Sequence, residues 1–141
     1  MDSLSSEKRS WNMSRIKGKD TSIEVLVRKR LFKEGFRFRK NVKTLPGKPY
    51  IVLPKYHTVI FIHGCFWHRH PGCKDASTPK TRTDFWQQKF DRNVQNDCIN
   101  QEKLRSMGWK VIILWECDIN KRFEETISNV IYELNKSIND N

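Results

Sequence analysis

The run Thr58-Val59-Ile60-Phe61-Ile62-His63-Gly64-Cys65-Phe66-Trp67-His68-Arg69-His70-Pro71-Gly72-Cys73 decides how the rest of the chain is read. Its first five residues are all β-branched or aromatic, as in a central strand covered on both faces. The pattern then breaks. Residues 63–83 hold three of the four histidines and two of the four cysteines, with glycine, proline and many polar side chains. Such a segment reads as a functional loop rather than a core element. Cys65, His70 and Cys73 follow the spacing Cys-x4-His-x2-Cys, and Cys117 lies just past a second strand pattern that ends at Trp115. Three soft ligands in a loop and a fourth at a strand end suit a closed, tetrahedral Cys3His zinc site. It would be structural, because four protein ligands leave no position for water. Spacing alone leaves His68 and His70 as alternatives for the histidine ligand. Cys98 falls on the apolar side of a helical pattern and is expected as a buried thiol.

Toward the N-terminus, Thr21-Ser22-Ile23-Glu24 has the form of a capping box, with Thr21 at N-cap and Glu24 at N3. Helical spacing of apolar residues runs through Leu31, and Gly35 supplies a stop. Phe36–Lys40 alternates aromatic and basic residues like a half-buried strand, Leu45–Pro49 is a turn, and Tyr50–Leu53 is a short apolar strand. Toward the C-terminus, Asp84 is expected to cap a helix reaching about Ser106, with Trp86, Phe90, Val94, Cys98, Gln101 and Leu104 on one face. Gly108 ends it, Trp109–Trp115 is a buried strand, and Asn120 opens a last helix striped by Phe123, Ile127, Val130, Ile131, Leu134 and Ile138. The order α-β-β-β-α-β-α predicts an α/β fold, a mixed sheet flanked by helices. One domain spans residues 21–141. A basic arm over residues 1–20 precedes it, with Lys8, Arg9, Arg15, Lys17 and Lys19. The arm reads equally as a loose terminus or as a segment that orders on a polyanion.

The charge points to the polyanion. Lys and Arg number 27 against 16 Asp and Glu, a net +11, and nucleic acid is the commonest partner for such an excess. Five Trp and eight Phe in so polar a chain leave rings over for stacking or wedging between bases. No apolar run is long enough to span a membrane, and the first 20 residues carry no apolar signal segment. The expected location is the cytoplasm, where unpaired cysteines bind metal or stay buried.

With these residues in view, His63–Cys73 (HGCFWHRHPGC) resembles the signature of the very-short-patch-repair (Vsr-type) DNA mismatch endonucleases. The resemblance continues through Thr81–Trp86, Gly108-Trp109 and Trp115-Glu116-Cys117. Upstream it takes in Asp20–Glu24 and Leu45–Pro49, so that it covers residues 8–120 in consistent order. It implies a restriction-endonuclease-like fold, a structural zinc on Cys65, His70, Cys73 and Cys117, and a catalytic magnesium. It implies nicking of one DNA strand on the 5′ side of the thymine in a T:G mismatch. Catalytic groups map to Glu24, His63, His68 and Asp97, with His68 as the base that activates water. The main-chain carbonyl of Ile62 maps to a magnesium ligand. A DNA-intercalating wedge maps to Phe66, Trp67 and Trp86, although Trp86 also fits a helix core position. By analogy the expected partners are double-stranded DNA with a T:G mismatch and a MutL-type repair protein, and a monomer suffices for a single nick.

One position departs from the family pattern. Where the family has Pro-Asp after the turn, this chain has Pro49-Tyr50, and the replaced aspartate is the principal carboxylate ligand for magnesium. A neutral phenol is a poor ligand for a hard cation. No Asp or Glu lies between residues 36 and 62 to take its place. The chain is therefore expected to bind the mismatch and to nick it weakly or not at all. The alternative is a non-catalytic, zinc-containing mismatch-binding protein.

Overall fold

The computed structural model describes residues 22–139. The basic arm over 1–20 and Thr21, the expected N-cap, lie outside that range. Helix α1 (Ser22–Lys33) leads into strand β1 (Arg39–Lys40), β2 (Ile51–Leu53), a 3-10 turn (Pro54–Tyr56) and β3 (Thr58–His63). The histidine- and cysteine-rich loop follows, with a 3-10 turn at Lys74–Ala76. Then come α2 (Thr83–Ser106), β4 (Lys110–Trp115), α3 (Glu116–Lys121) and α4 (Phe123–Asn139).

The sheet runs β1-β2-β3-β4. β1 with β2 and β2 with β3 are antiparallel, while β3 and β4 are parallel, with Ile60 opposite Ile112 and His63 opposite Trp115. β3 is thus paired on both edges. It is also covered on both faces, which is why Thr58, Val59 and Ile60 are all buried rather than alternating. On one face Ile51, Leu53 and Ile60 pack against Val27 and Leu31 of α1 and Ile127, Val130 and Leu134 of α4. On the other, Val52 and Val59 meet Leu104 of α2. The result is the expected helix–sheet–helix sandwich around a mixed sheet. Fully burying each such aliphatic side chain contributes about 1.5–3 kcal/mol.

Local chemistry explains where elements begin and end. Gly35 sits at φ +97, with its N–H on Phe32 O and the Phe36 N–H on Leu31 O, both at 3.0 Å. This is a Schellman stop that needs a left-handed residue. Because Phe36 is tied back to the helix, the strand expected from residue 36 starts only at Arg39. The single last helix expected from Asn120 is instead two. The chain turns helical directly after β4, burying Cys117 and Ile119, and breaks at Arg122 (φ −137, ψ 49) before α4.

The long helix needs the largest correction. It begins at Thr83, and its N-cap is Arg82 rather than Asp84. Val94 is 38% exposed and Cys98 is exposed, so Cys98 is not a buried thiol. Steps of four residues drift about 40° each around a 3.6-residue helix, which carries positions 94 and 98 off the inner face. The inward line alternates steps of four and three: Trp86, Phe90, Asn93, Asp97, Asn100 and Leu104, all buried or half-buried. Its middle is polar because it faces a cleft rather than a core.

Candidate active site and metal centre

A cleft of about 340 Å³ opens at the C-terminal end of β3. β3 delivers Ile62 and His63 to it, the loop after β3 His68, α1 Glu24, the residue just before β2 Tyr50, and α2 Asp97, Asn100 and Gln101. The β1–β2 loop closes one side with Asn41, Lys43 and Lys48. Gly47 lets it close: it holds φ +76, and a Cβ there would stand 3.1 Å from both Phe61 and Asn100.

His63 and His68 stack with ring centroids 3.8 Å apart and planes 9° from parallel. His63 is 5% exposed and lies edge-on to Trp115. Burial, then repulsion from His68, lowers its pKa to about 4 despite the opposing pull of Asp97. Burial and the close stack thus favour the neutral imidazole at His63. His68 Nδ1 lies 2.6 Å from Asp97 Oδ2. That contact leaves Nε2 as the histidine's open nitrogen. The side chain of Tyr50 is buried among the main core residues, and its hydroxyl accepts from Arg28 Nη1 at 3.1 Å.

Beside the cleft, Cys65, His70, Cys73 and Cys117 gather so that their ligand atoms all lie within 4.8 Å of one another. His70 Nδ1 is 3.6 Å from Cys65 Sγ and 3.3 Å from Cys117 Sγ. Spacing left two histidines open, and only His70 joins the cysteines, since His68 turns to Asp97. The His70 ring also stacks on Trp115 at 4.2 Å. Without a cation, burial and then the neighbouring thiols push Cys65 up to about 12, and burial raises Cys117 as well. A metal ion would reverse this by stabilising the thiolates. The cluster can hold one.

Phe66, Trp67 and Trp86 are brought together. Phe66 meets Trp67, Trp86 and Phe90 edge-on at 5.1, 5.8 and 5.2 Å, and Trp86 stacks on Phe90 at 5.8 Å. All three rings stay half-buried, while Phe90 is in the interior.

A model of the DNA mismatch endonuclease Vsr family matches residues 1–75. The chain is 45% identical over 139 residues to the type II nicking enzyme V.NmeAIP of Neisseria meningitidis, covering 97% of this chain and 99% of that protein. It is 43% identical to the DNA mismatch endonuclease Vsr of Escherichia coli over 81% of this chain and 72% of that one. A type II nicking enzyme of Xanthomonas oryzae, V.XorIIP, is 41% identical over 84% of this chain and 87% of its own. The chain belongs to the Vsr family. Vsr proteins are DNA endonucleases, and the cleft between β3 and α2 is the place in this Vsr chain where titratable groups converge.

The sequence pattern of this Vsr protein does not mark Arg28, Lys43, Lys48, Asn41, Asn100 or Gln101 as site residues, although Gln101 falls on the expected inner face of its helix. Arg28 was recoverable as the i+4 neighbour of Glu24, and Asn100 and Gln101 as i+3 and i+4 from Asp97. The loop residues carried no such signal. Among the described residues no helix is long and apolar enough to cross a membrane.

Proposed function

We propose that this chain recognises T:G mismatches in duplex DNA and is built to nick one strand on the 5′ side of the mismatched thymine, with catalysis held low by Tyr50. The observation that carries the reading is the His63–His68–Asp97 cluster set in a cleft with Glu24 and two lysines. Phosphodiester hydrolysis needs an in-line water, a proton acceptor and positive charge on the phosphate oxygens. His68 takes the water's proton at Nε2, with Asp97 holding the ring at Nδ1. His63, kept neutral by burial, donates one N–H to a phosphate or leaving-group oxygen. Glu24 orients the water. Lys43 and Lys48 meet the backbone phosphates. Phe66, Trp67 and Trp86 wedge beside the mismatch, where the weak wobble pair lowers the cost of unstacking.

The two metals differ in fit. Three thiols and an imidazole with mutually close donor atoms suit zinc, so Cys65, His70, Cys73 and Cys117 would hold it as a staple for the wedge loop. Magnesium usually relies on one or two carboxylates together with substrate phosphate. The groups at its expected place are the phenol of Tyr50, already accepting from Arg28, and the carbonyl of Ile62. Those two donors alone do not fit, the cleft's carboxylates Glu24 and Asp97 being assigned here to the water and to His68, and no step here runs through the ion. A monomer acting in the cytoplasm, alongside a MutL-type protein, is part of the same reading.

The second reading, a non-catalytic mismatch binder, is favoured by the burial of Tyr50 in the core, which makes the phenol an integral part of the fold. A nicking assay on labelled T:G duplex with magnesium, run for this chain and for Tyr50→Asp, separates them. The first reading requires Tyr50→Asp to nick. If both forms bind the mismatch and neither nicks, the second stands.

A further inference from the structure

Helix α1 presents three faces. Val27 and Leu31 are buried in the core, and Glu24 and Arg28 reach the cleft, Arg28 through its bond to Tyr50. On the remaining face Lys29, Phe32 and Lys33 join Arg37, Phe38 and Lys40 around a groove of about 470 Å³. Nothing in the nicking chemistry uses it. Phe32 is 56% exposed, and Phe38 is half-buried against the core. The Arg37 guanidinium lies 4.1 Å from the Phe32 ring centroid, and its Nη1 donates to the carbonyls of Phe32 and Phe36 at 3.4 and 3.2 Å. A cation is thus fixed over an exposed aromatic wall. Arg28 closes the inner end, and among the described residues no carboxylate lines the groove.

We infer that this groove docks an acidic segment of a partner protein that carries a large apolar or aromatic side chain. Charge complementarity sets the sign of the occupant: among the described residues, five cations and no anion line the groove. The apolar walls set the rest. A cavity between two phenylalanines gains from a side chain that fills it, the usual arrangement of an apolar anchor inside a polar rim. A duplex backbone supplies phosphates but keeps its apolar base faces stacked inside, so it would leave Phe32 and Phe38 wet. Around α1, Lys29 and Lys33 point about 140° and 180° away from Glu24, with Phe32 at about 80° and Arg28 at about 40° between them, so most of the groove turns away from the cleft. Partner and DNA can therefore be held at once, with Arg28 between them.

The test uses the full chain and a fluorescent peptide in which one phenylalanine is flanked by aspartates, beside a control with glycine in its place. The phenylalanine peptide is expected to bind roughly tenfold tighter than the control, a difference of about 1.4 kcal/mol. Phe32→Ala should erase that difference, and Lys29→Gln with Lys33→Gln should weaken both peptides. Saturating T:G duplex should leave peptide binding in place, and duplex affinity should change less than about threefold in Phe32→Ala, within the range of near-neutral contacts. Phe32, Lys29 and Lys33 are exposed, so these variants keep the fold, and melting curves check that they do. Equal affinity for the two peptides would overturn the proposal by reducing the groove to general charge. Displacement of the peptide by duplex, with parallel losses in the lysine variant, would assign the groove to DNA instead. Neither readout depends on nicking, so the proposal stands or falls apart from the proposed function.

Discussion

Replacing Tyr50 with aspartate should move stability and catalysis in opposite directions. The ring is 7% exposed, packs in the cluster that holds Leu31, Phe36 and Ile51, and accepts a hydrogen bond from Arg28. Truncating a buried aromatic costs about 3–5 kcal/mol when the hole stays empty. Here the ring borders an open cleft that water can enter, so the expected loss falls below that range, to about 2–3 kcal/mol. For a chain of this length that lowers Tm by roughly 6–12 °C in magnesium-free buffer. Catalysis gains instead. A carboxylate at this place completes a donor set suited to magnesium, and charge stabilisation by such an ion is worth several kcal/mol. Taking about 3–5 kcal/mol, the single-turnover nicking rate should rise roughly 10²–10⁴-fold. Mismatch affinity, measured by anisotropy without magnesium, should change little because it rests on the basic surface and the aromatic loop. The rates come from end-labelled T:G duplex on denaturing gels, with protein in excess. Comparable nicking by the unaltered chain and Tyr50→Asp would refute the reasoning, since another group would then be serving the phosphate.

In the Tyr50→Asp background, His68→Ala should abolish the gain, and Asp97→Asn should reduce it by about 10²-fold or less, because the asparagine keeps the ring in place without its charge; full activity of Asp97→Asn would remove Asp97 from the mechanism. Elemental analysis should find one zinc per chain, with Cys117→Ser losing metal and thermal stability together while Cys98→Ser, at an exposed position, loses neither; metal-free protein on fresh purification would sink the site. Phe66→Ala with Trp67→Ala should lower the preference for T:G over T:A more than general affinity, and equal losses on both duplexes would make these rings packing for Phe90. Duplex affinity should fall steeply between 50 and 200 mM salt, by about 10³-fold if six phosphates are contacted; a flat salt response would separate the positive charge from DNA binding.

The cysteine- and histidine-rich loop, the central strand and the layer order were legible in the sequence because each rests on local chemistry. Soft ligands at short spacing, a β-branched run beside them and turn residues at the ends need no distant partner to be recognised. The face of α2 was misread for the opposite reason. Hydrophobicity marks a helix side that meets a core, but this helix meets a cleft, so its inward positions Asn93, Asp97 and Asn100 are polar while Val94 and Cys98 face water.

By itself, then, the sequence determined the α/β architecture, the cysteine–histidine cluster up to a choice of histidine, and the absence of a carboxylate at position 50. Tertiary structure decided what depends on elements far apart in the chain. It turned His68 onto Asp97, 29 residues away, and so left His70 for the cysteines. It stacked His63 on His68 and buried it far enough to hold it neutral. It packed the Tyr50 ring into the core with its hydroxyl on Arg28. Such contacts arise only once the sheet and α1 and α2 have packed, because the partners share no spacing along the chain that a pattern could reveal.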